Sequence, residues 1–187
     1  SYDKDAARQQ AGVRVLRLAR KADVGALLEQ ARLAALLVAP EFTASLRRAA
    51  EASGVPLDKP VIARRNTPHG AVLVSGTGRT RYDKEDFAAL YDLGGDDVYA
   101  NNAASSVPGA IPTAVIVDYA GDDAYESTAA FRQGCGDLGV GILVDLAGDD
   151  CYVGRRCGQA AGFMGVGILC DEAGDDTYRG QDFHQAV

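Results

Sequence analysis

The sequence contains no tryptophan, no C-x-x-C pair and no apolar run near the length of a membrane span. Its most apolar segment, Leu33 to Ala39, falls far short of the ~20 residues a membrane helix needs, so no span is expected. The four cysteines, Cys135, Cys151, Cys157 and Cys170, lack the paired-ligand spacing of a zinc site. They read as small buried apolar residues, although an even number also permits two disulfides. Basic excess is lacking too: the net charge is −7, and nucleic acid is a poor partner for such a chain. An initiator Met and a signal peptide are also absent, as in a processed or partial sequence.

What is present is a repeat. The pattern D-x-[GA]-G-D-D-x-Y occurs four times, at Asp92–Tyr99, Asp118–Tyr125, Asp145–Tyr152 and Asp171–Tyr178, each time after a short apolar run. The first aspartates are 26, 27 and 26 residues apart. A fixed period in this range marks a solenoid or array. With the twelve motif aspartates set aside, the 26 acidic residues fall to 14, against 19 basic ones. The acidity of the protein is therefore the acidity of its repeats, and a cation is a natural partner.

Residues 4 to 39 carry helical spacing in two stripes. One holds Val15, Leu18, Ala19, Ala22 and Ala26; the other holds Val24, Leu27, Leu28 and Ala31. Asp23 is placed to cap the second helix. Pro40 and Gly54 bracket a further helix with Phe42 and Leu46 on one face. From Lys59 onward the period falls toward two. The segment Ser75-Gly-Thr-Gly78-Arg79-Thr80-Arg-Tyr82 fits the motif with its acids replaced, and it precedes Asp92 by only 17 residues. It reads as a degenerate first repeat in which Arg79 ends the row of negative charge against Asp96 or Asp97. Gln133, Gln159 and Gln185 recur between motifs, and the last copy stops mid-repeat.

A repeat of 26–27 residues without a ten-residue helical stripe excludes ankyrin, leucine-rich and tetratricopeptide arrays, and it is too short for a propeller blade. A mainly β fold follows: a right-handed parallel β-solenoid of about five coils over residues 58–187, with an α-helical N-terminal cap over residues 1–57. Strands are predicted around Leu73, Leu90, Ile116, Leu143 and Leu169. The stripe Val24, Leu27, Leu28, Ala31 is expected to cover the first coil. Successive coils stack roughly 4.7–4.9 Å apart, so tyrosines, glutamines and aspartates all become ladders. Carboxylates about 5 Å apart repel by about 3 kcal/mol per pair at an effective dielectric near 20. Turn amides or a cation must offset this, and Ca2+ suits a set of carboxylate and carbonyl oxygens.

At G-D-D-x-Y the repeats resemble the glycine- and aspartate-rich calcium-binding nonapeptides of RTX proteins, whose pattern is G-G-x-G-x-D-x-U-x. Gly95-x-Asp97-x-Tyr99, Gly121-x-Asp123-x-Tyr125, Gly148-x-Asp150-x-Tyr152 and Gly174-x-Asp176-x-Tyr178 match its second half. The resemblance implies Asp97, Asp123, Asp150 and Asp176 as calcium ligands, with the tyrosines pointing inward. The other motif aspartates, Asp92, Asp118, Asp145, Asp171, Asp96, Asp122, Asp149 and Asp175, are candidate metal residues beside them.

The functional expectation is a calcium-binding structural or interaction module, extracellular or periplasmic, with another protein subunit at the open C-terminal coil. One alternative is a carbohydrate-active enzyme using an acid pair on the same scaffold; another is a metal-free interaction module whose aspartates only cap turns. Ser75 with His69 has no spacing that suggests a nucleophile. Gly76-Thr-Gly78 lacks the following helix that a phosphate loop needs.

Overall fold

A strand that is apolar along its whole length needs cover on both faces. The runs Ala89-Leu-Tyr, Val115-Ile-Val and Ile142-Leu-Val have it. The computed structural model of the protein is a β-solenoid of parallel stacked coils with two short helices against its side. The structure describes residues 20–126 and 129–181, together with Val13.

Helices α1 (Val24–Ala35) and α2 (Pro40–Glu51) come first. Strands β1 (Ala63–Thr67) and β2 (Gly70–Ser75) form a hairpin, and β3 (Arg81–Tyr82) completes the short first coil. The next two coils each hold a long and a short strand: β4 (Phe87–Asp92) with β5 (Val98–Tyr99), then β6 (Thr113–Asp118) with β7 (Ala124–Glu126). The last two add a two-residue strand in front: β8 (Gly136–Asp137), β9 (Val140–Asp145) and β10 (Cys151–Val153), then β11 (Gly162–Phe163), β12 (Val166–Asp171) and β13 (Thr177–Arg179).

The long strands stack in the order β1-β2-β4-β6-β9-β12, and the short ones form a second sheet from β3 to β13. Every pairing between coils is parallel; only β1 runs antiparallel to its neighbour. Leu73, Leu90, Ile116, Leu143 and Leu169 fall in register, as the apolar runs predict. Three turns of 26–27 residues separate Asp92 from Asp171.

Inside the solenoid the aliphatic column meets a column of tyrosines. Rings of Tyr99, Tyr125 and Tyr152 stack with centroids 4.6 Å apart, close to the strand spacing. Gln133 and Gln159 tie coils together along the axis. The Gln133 amide donates to Tyr125 O at 2.7 Å and to Val153 O, one coil on, at 2.9 Å. Gln185, the path of residues 182–187 and the stripe positions Val15, Leu18 and Ala19 lie outside the described residues.

The helices do not sit over the first coil. They lie along the outer face of the long sheet, where Leu27, Ala31, Leu37 and Leu46 pack on Tyr91, Val115, Val117 and Ile142. Val24 and Leu28 stay 60% and 59% exposed. Two outward tyrosines pin the helices: Tyr119 OH donates to Thr43 O at 2.7 Å and Tyr91 OH to Leu37 O at 3.1 Å. The reason is area. The outer sheet face offers a row of branched side chains, each worth roughly 1.5–3 kcal/mol when buried, whereas a coil end offers one layer. Asp23 caps α1 as expected, accepting from Ala26 N at 2.9 Å.

The N-terminal end is closed instead by β1. Arg64 stands opposite Leu73, on the interior side of the sheet, and pairs with Glu85 through contacts of 2.9 and 2.7 Å. An inward-pointing charge on an edge strand discourages further pairing. All four cysteines are free, but only Cys135 is buried as the sequence reading expects; Cys151 and Cys157 are half-buried and Cys170, on the last long strand, is exposed.

Candidate metal centre

The G-D-D turn works because its glycine has no side chain. Gly121 has φ +141°, and a Cβ there would collide with the carbonyl oxygen of Gly95 one coil back. Gly148 meets Gly121, and Gly174 meets Gly148, in the same way. Coils can therefore approach to strand spacing at this corner only with glycine in each layer.

The turn then splits the Asp pair. Its first members, Asp96, Asp122, Asp149 and Asp175, are exposed. They form an outer ladder, in which Asp96 accepts from Asp122 N at 3.2 Å, Asp122 from Asp149 N at 3.0 Å and Asp149 from Asp175 N at 2.9 Å. Its second members point inward, and their ladder runs the other way. Asp97 accepts from Thr80 N, Asp123 from Asp97 N at 2.6 Å, Asp150 from Asp123 N at 2.7 Å and Asp176 from Asp150 N at 2.9 Å.

Thr80 is thus what ends the acidic row. Arg79, expected to do so, is exposed and forms no ion pair among the described residues. A backbone amide already aligned by the coil needs no side-chain ordering, which a long guanidinium would.

The first aspartates of the motif, Asp92, Asp118, Asp145 and Asp171, alternate along the axis with the tyrosine hydroxyls. Tyr82 donates to Asp92 at 2.5 Å, Tyr99 to Asp118, Tyr125 to Asp145 at 2.6 Å and Tyr178 to Asp171 at 2.6 Å. At the N-terminal end Ser75, in the Asp position, lies 2.8 Å from the Tyr82 hydroxyl and shares a hydrogen bond with it. The hydroxyl role of these tyrosines was hidden in the sequence behind their apolar one; their constant seven-residue distance from an aspartate was the signal.

Three carboxylate clusters result: Asp92, Asp97 and Asp118; Asp123, Asp145 and Asp150; Asp150, Asp171 and Asp176. Within each, one oxygen per residue lies within 4.8 Å of the others. The structure brings together all eight inner aspartates and leaves Asp96, Asp122, Asp149 and Asp175 outside the clusters. Asp97 Oδ2, Asp123 Oδ2, Asp145 Oδ1, Asp150 Oδ2 and Asp171 Oδ1 are buried with no hydrogen-bond partner among the described residues. Burial raises the proton affinity of Asp92, Asp97, Asp118, Asp123, Asp145, Asp150 and Asp171. Asp97 is pushed up to about 8, by desolvation first and the Asp92 charge next; Asp123 to about 7 and Asp150 to about 8, again mainly by desolvation. Asp92, Asp118, Asp145 and Asp171 move in the same direction for the same reason. Carboxylates so placed need a proton or a cation between them.

No family model, curated protein or solved structure matches the chain. The likeness to RTX repeats therefore stays at the level of the motif. What stands is a β-solenoid whose buried aspartate clusters are within ligand distance for a metal ion.

Proposed function

We propose that the chain is a calcium-binding structural repeat module, in which divalent cations neutralise the column of buried aspartates and lock coil to coil. The observation that carries this reading is the set of buried, unpartnered carboxylate oxygens on Asp97, Asp123, Asp145, Asp150 and Asp171. Buried polar atoms are rarely left unpaired, and five such oxygens in one column call for protons or cations between the carboxyl groups. The donors are all hard oxygens, the set Ca2+ prefers. Calcium would be held by Asp92, Asp97 and Asp118, by Asp123, Asp145 and Asp150, and by Asp150, Asp171 and Asp176. Extracellular modules bind calcium at ~10⁻⁴–10⁻³ M, so this reading places the protein outside the cytoplasm or in a periplasm.

The polysaccharide-cleaving alternative asks for accessible acids beside aromatics in a groove. Here Tyr99, Tyr125, Tyr152 and the aspartates facing them are buried. The metal-free alternative has an observation of its own: each inner aspartate of the G-D-D turn already accepts an amide from the neighbouring coil, which requires no ion.

Calorimetric titration with Ca2+ and with Mg2+, paired with melting in EDTA, separates these readings. Saturable calcium heat and a melting temperature that climbs with free calcium support the proposal. A ligand at a hundred times its Kd stabilises the fold by about 2.7 kcal/mol. No heat, with an unchanged melt from EDTA to millimolar calcium, overturns it.

A further inference from the structure

We propose that the three clusters are unequal: the middle one, Asp123, Asp145 and Asp150, is the primary calcium site, and it takes the first ion stripped of its water and in preference to Mg2+. This rests on the cation reading above and ranks the clusters within it.

The clusters differ in which carboxylate oxygens are already occupied. In the one nearest the N-terminus, Asp92 Oδ2 accepts from Tyr82 at 2.5 Å and from Tyr99 at 3.1 Å, and Asp92 Oδ1 from Gly94 N at 3.4 Å. Asp118 Oδ2 accepts from Tyr99, and Asp118 Oδ1 from Ala120 N at 3.0 Å. Asp97 Oδ1 accepts from Thr80 N. Only Asp97 Oδ2 is left there as a buried oxygen without a partner among the described residues. The middle cluster has one on each member: Asp123 Oδ2, Asp145 Oδ1 and Asp150 Oδ2. Buried polar atoms seldom stay unpaired. An ion in the middle cluster pairs all three of these oxygens and displaces no hydrogen bond from them. In the first cluster it pairs one and competes with hydroxyl and amide donors for the rest.

Enclosure sets the state of the ion. Asp123, Asp145 and Asp150 are 2%, 0% and 2% exposed. The fully buried Tyr125 closes on them through its 2.6 Å bond to Asp145 Oδ2. One oxygen from each aspartate lies within 4.8 Å of the others, and oxygens facing each other across a calcium ion stand roughly 4.6–5.2 Å apart. Three carboxylates binding through both oxygens supply about the six ligands that calcium needs at least. Ca2+ accepts bidentate carboxylates in irregular sets, whereas Mg2+ demands near-ideal octahedral geometry and gives up its water reluctantly. A buried cage of three aspartates therefore selects the larger ion.

The third cluster is not independent of the middle one, because Asp150 belongs to both. A second ion there meets a carboxylate already coordinated and a doubly charged neighbour close by, and like charges at such distances repel. Binding is stepwise: the middle cluster fills first and the others follow at higher calcium.

Calorimetry with Ca2+ and luminescence titration with Tb3+, sensitised by tyrosine in a chain without tryptophan, test this on the full chain. Asp123 and Asp97 each belong to one cluster, and asparagine keeps the shape and one accepting oxygen at either position. Asp123→Asn is expected to weaken the tightest calcium step by roughly tenfold or more, at least what losing a residue hydrogen-bonded to a metal ligand costs. Asp97→Asn is expected to leave that step unchanged and to weaken a later one. Melts in EDTA check that both variants fold. In the unsubstituted chain, which needs no such check, the first equivalent of Tb3+ should show nearly the same lifetime in H2O and D2O, because a dry ion has no bound O–H to quench it. Excess Mg2+ should leave it in place. Equal weakening by the two variants, displacement by Mg2+, or a first-equivalent lifetime that lengthens severalfold in D2O overturns the ranking while calcium binding itself stands. Absence of both calcium heat and sensitised emission in the unsubstituted chain overturns the cation reading and the ranking with it.

Discussion

The hydroxyl of Tyr125 donates to Oδ2 of Asp145 at 2.6 Å, reaching out of its own coil into the next. Both residues are fully buried. The stacked rings thus do two things with one side chain: the faces bury apolar area along the axis, and the hydroxyl edge stitches each coil to the aspartate of its neighbour. A ladder of phenylalanines would provide only the first.

Removing that stitch in mid-column has a definite cost. Tyr125→Phe leaves Asp145 with both oxygens lacking a side-chain donor in a buried site. A loss of about 1–3 kcal/mol is expected, read from the denaturant midpoint at constant slope. An effect below about 0.5 kcal/mol, the range of ordinary surface changes, would show that the column carries no strain on Asp145.

The pH dependence of the metal-free protein has a predicted sign. Asp97, Asp123 and Asp150 hold their protons up to about 8, 7 and 8 when folded, against 3.8 for an ordinary carboxyl. Above the unfolded value the folded state binds more protons than the unfolded one, so stability falls as pH rises. It is fullest below about pH 4 from these groups and is lost progressively up to about pH 8. In EDTA the melting temperature should decline from pH 5 to pH 8. Millimolar calcium should flatten that decline, because deprotonated carboxylates are the ligand form. A melt in EDTA that rises toward pH 8 would contradict the burial argument.

Asp150 belongs to two of the three clusters, with Asp123 and Asp145 on one side and Asp171 and Asp176 on the other. Asp123 belongs to one. Asp150→Ala should therefore remove more calcium heat than Asp123→Ala, and its stoichiometry should fall by up to two ions instead of one. Asp149→Ala, on the outer ladder, should leave the stoichiometry unchanged. Equal losses in all three variants would detach the binding from the clusters.

Glycines of the repeat should divide by position. Gly121→Ala sets a methyl against the backbone of Gly95, which cannot swing aside as a side chain can. Gly54, at φ +76°, has open space around it. Alanine at Gly54 should cost about 1–2 kcal/mol for the left-handed backbone alone. Alanine at Gly121 should cost clearly more, in excess of about 3 kcal/mol when the stacking of two coils is disturbed. Thermal melts of the two variants side by side make the comparison.

Translation along one axis made most of this fold legible. When a pattern recurs every 26 or 27 residues, each position can stack only on its own equivalents, so Leu90, Ile116, Leu143 and Leu169 had to align, and so did their tyrosines; Leu73, only 17 residues before Leu90, joins them through the matching apolar run of a shorter coil. The aspartates had to form columns for the same reason. The G-x-D-x-Y resemblance singled out the second Asp of each pair, but composition and spacing did not show that Asp96 and its equivalents would form an exposed ladder while Asp92 and its equivalents joined the buried clusters, because Asp96 and Asp97 are chemically identical neighbours. Only the backbone turn at Gly95 sends one outward and the other in.

The sequence by itself determined the period, the parallel strands, the identity of each column and the acidity of the repeats, because these follow from local pattern and translational symmetry. Tertiary structure alone decided where the ends and sides close. Helix α1 carries an apolar stripe that would serve equally over a coil end or along a sheet face; the larger apolar area of Val115, Val117 and Ile142 drew it to the side. Arg79 could have reached the first acidic coil, but the Thr80 amide was already in place. The direction in which each tyrosine donates was likewise set by what lies ahead of it in space, so that Tyr125 reaches Asp145 while Tyr178 turns back to Asp171.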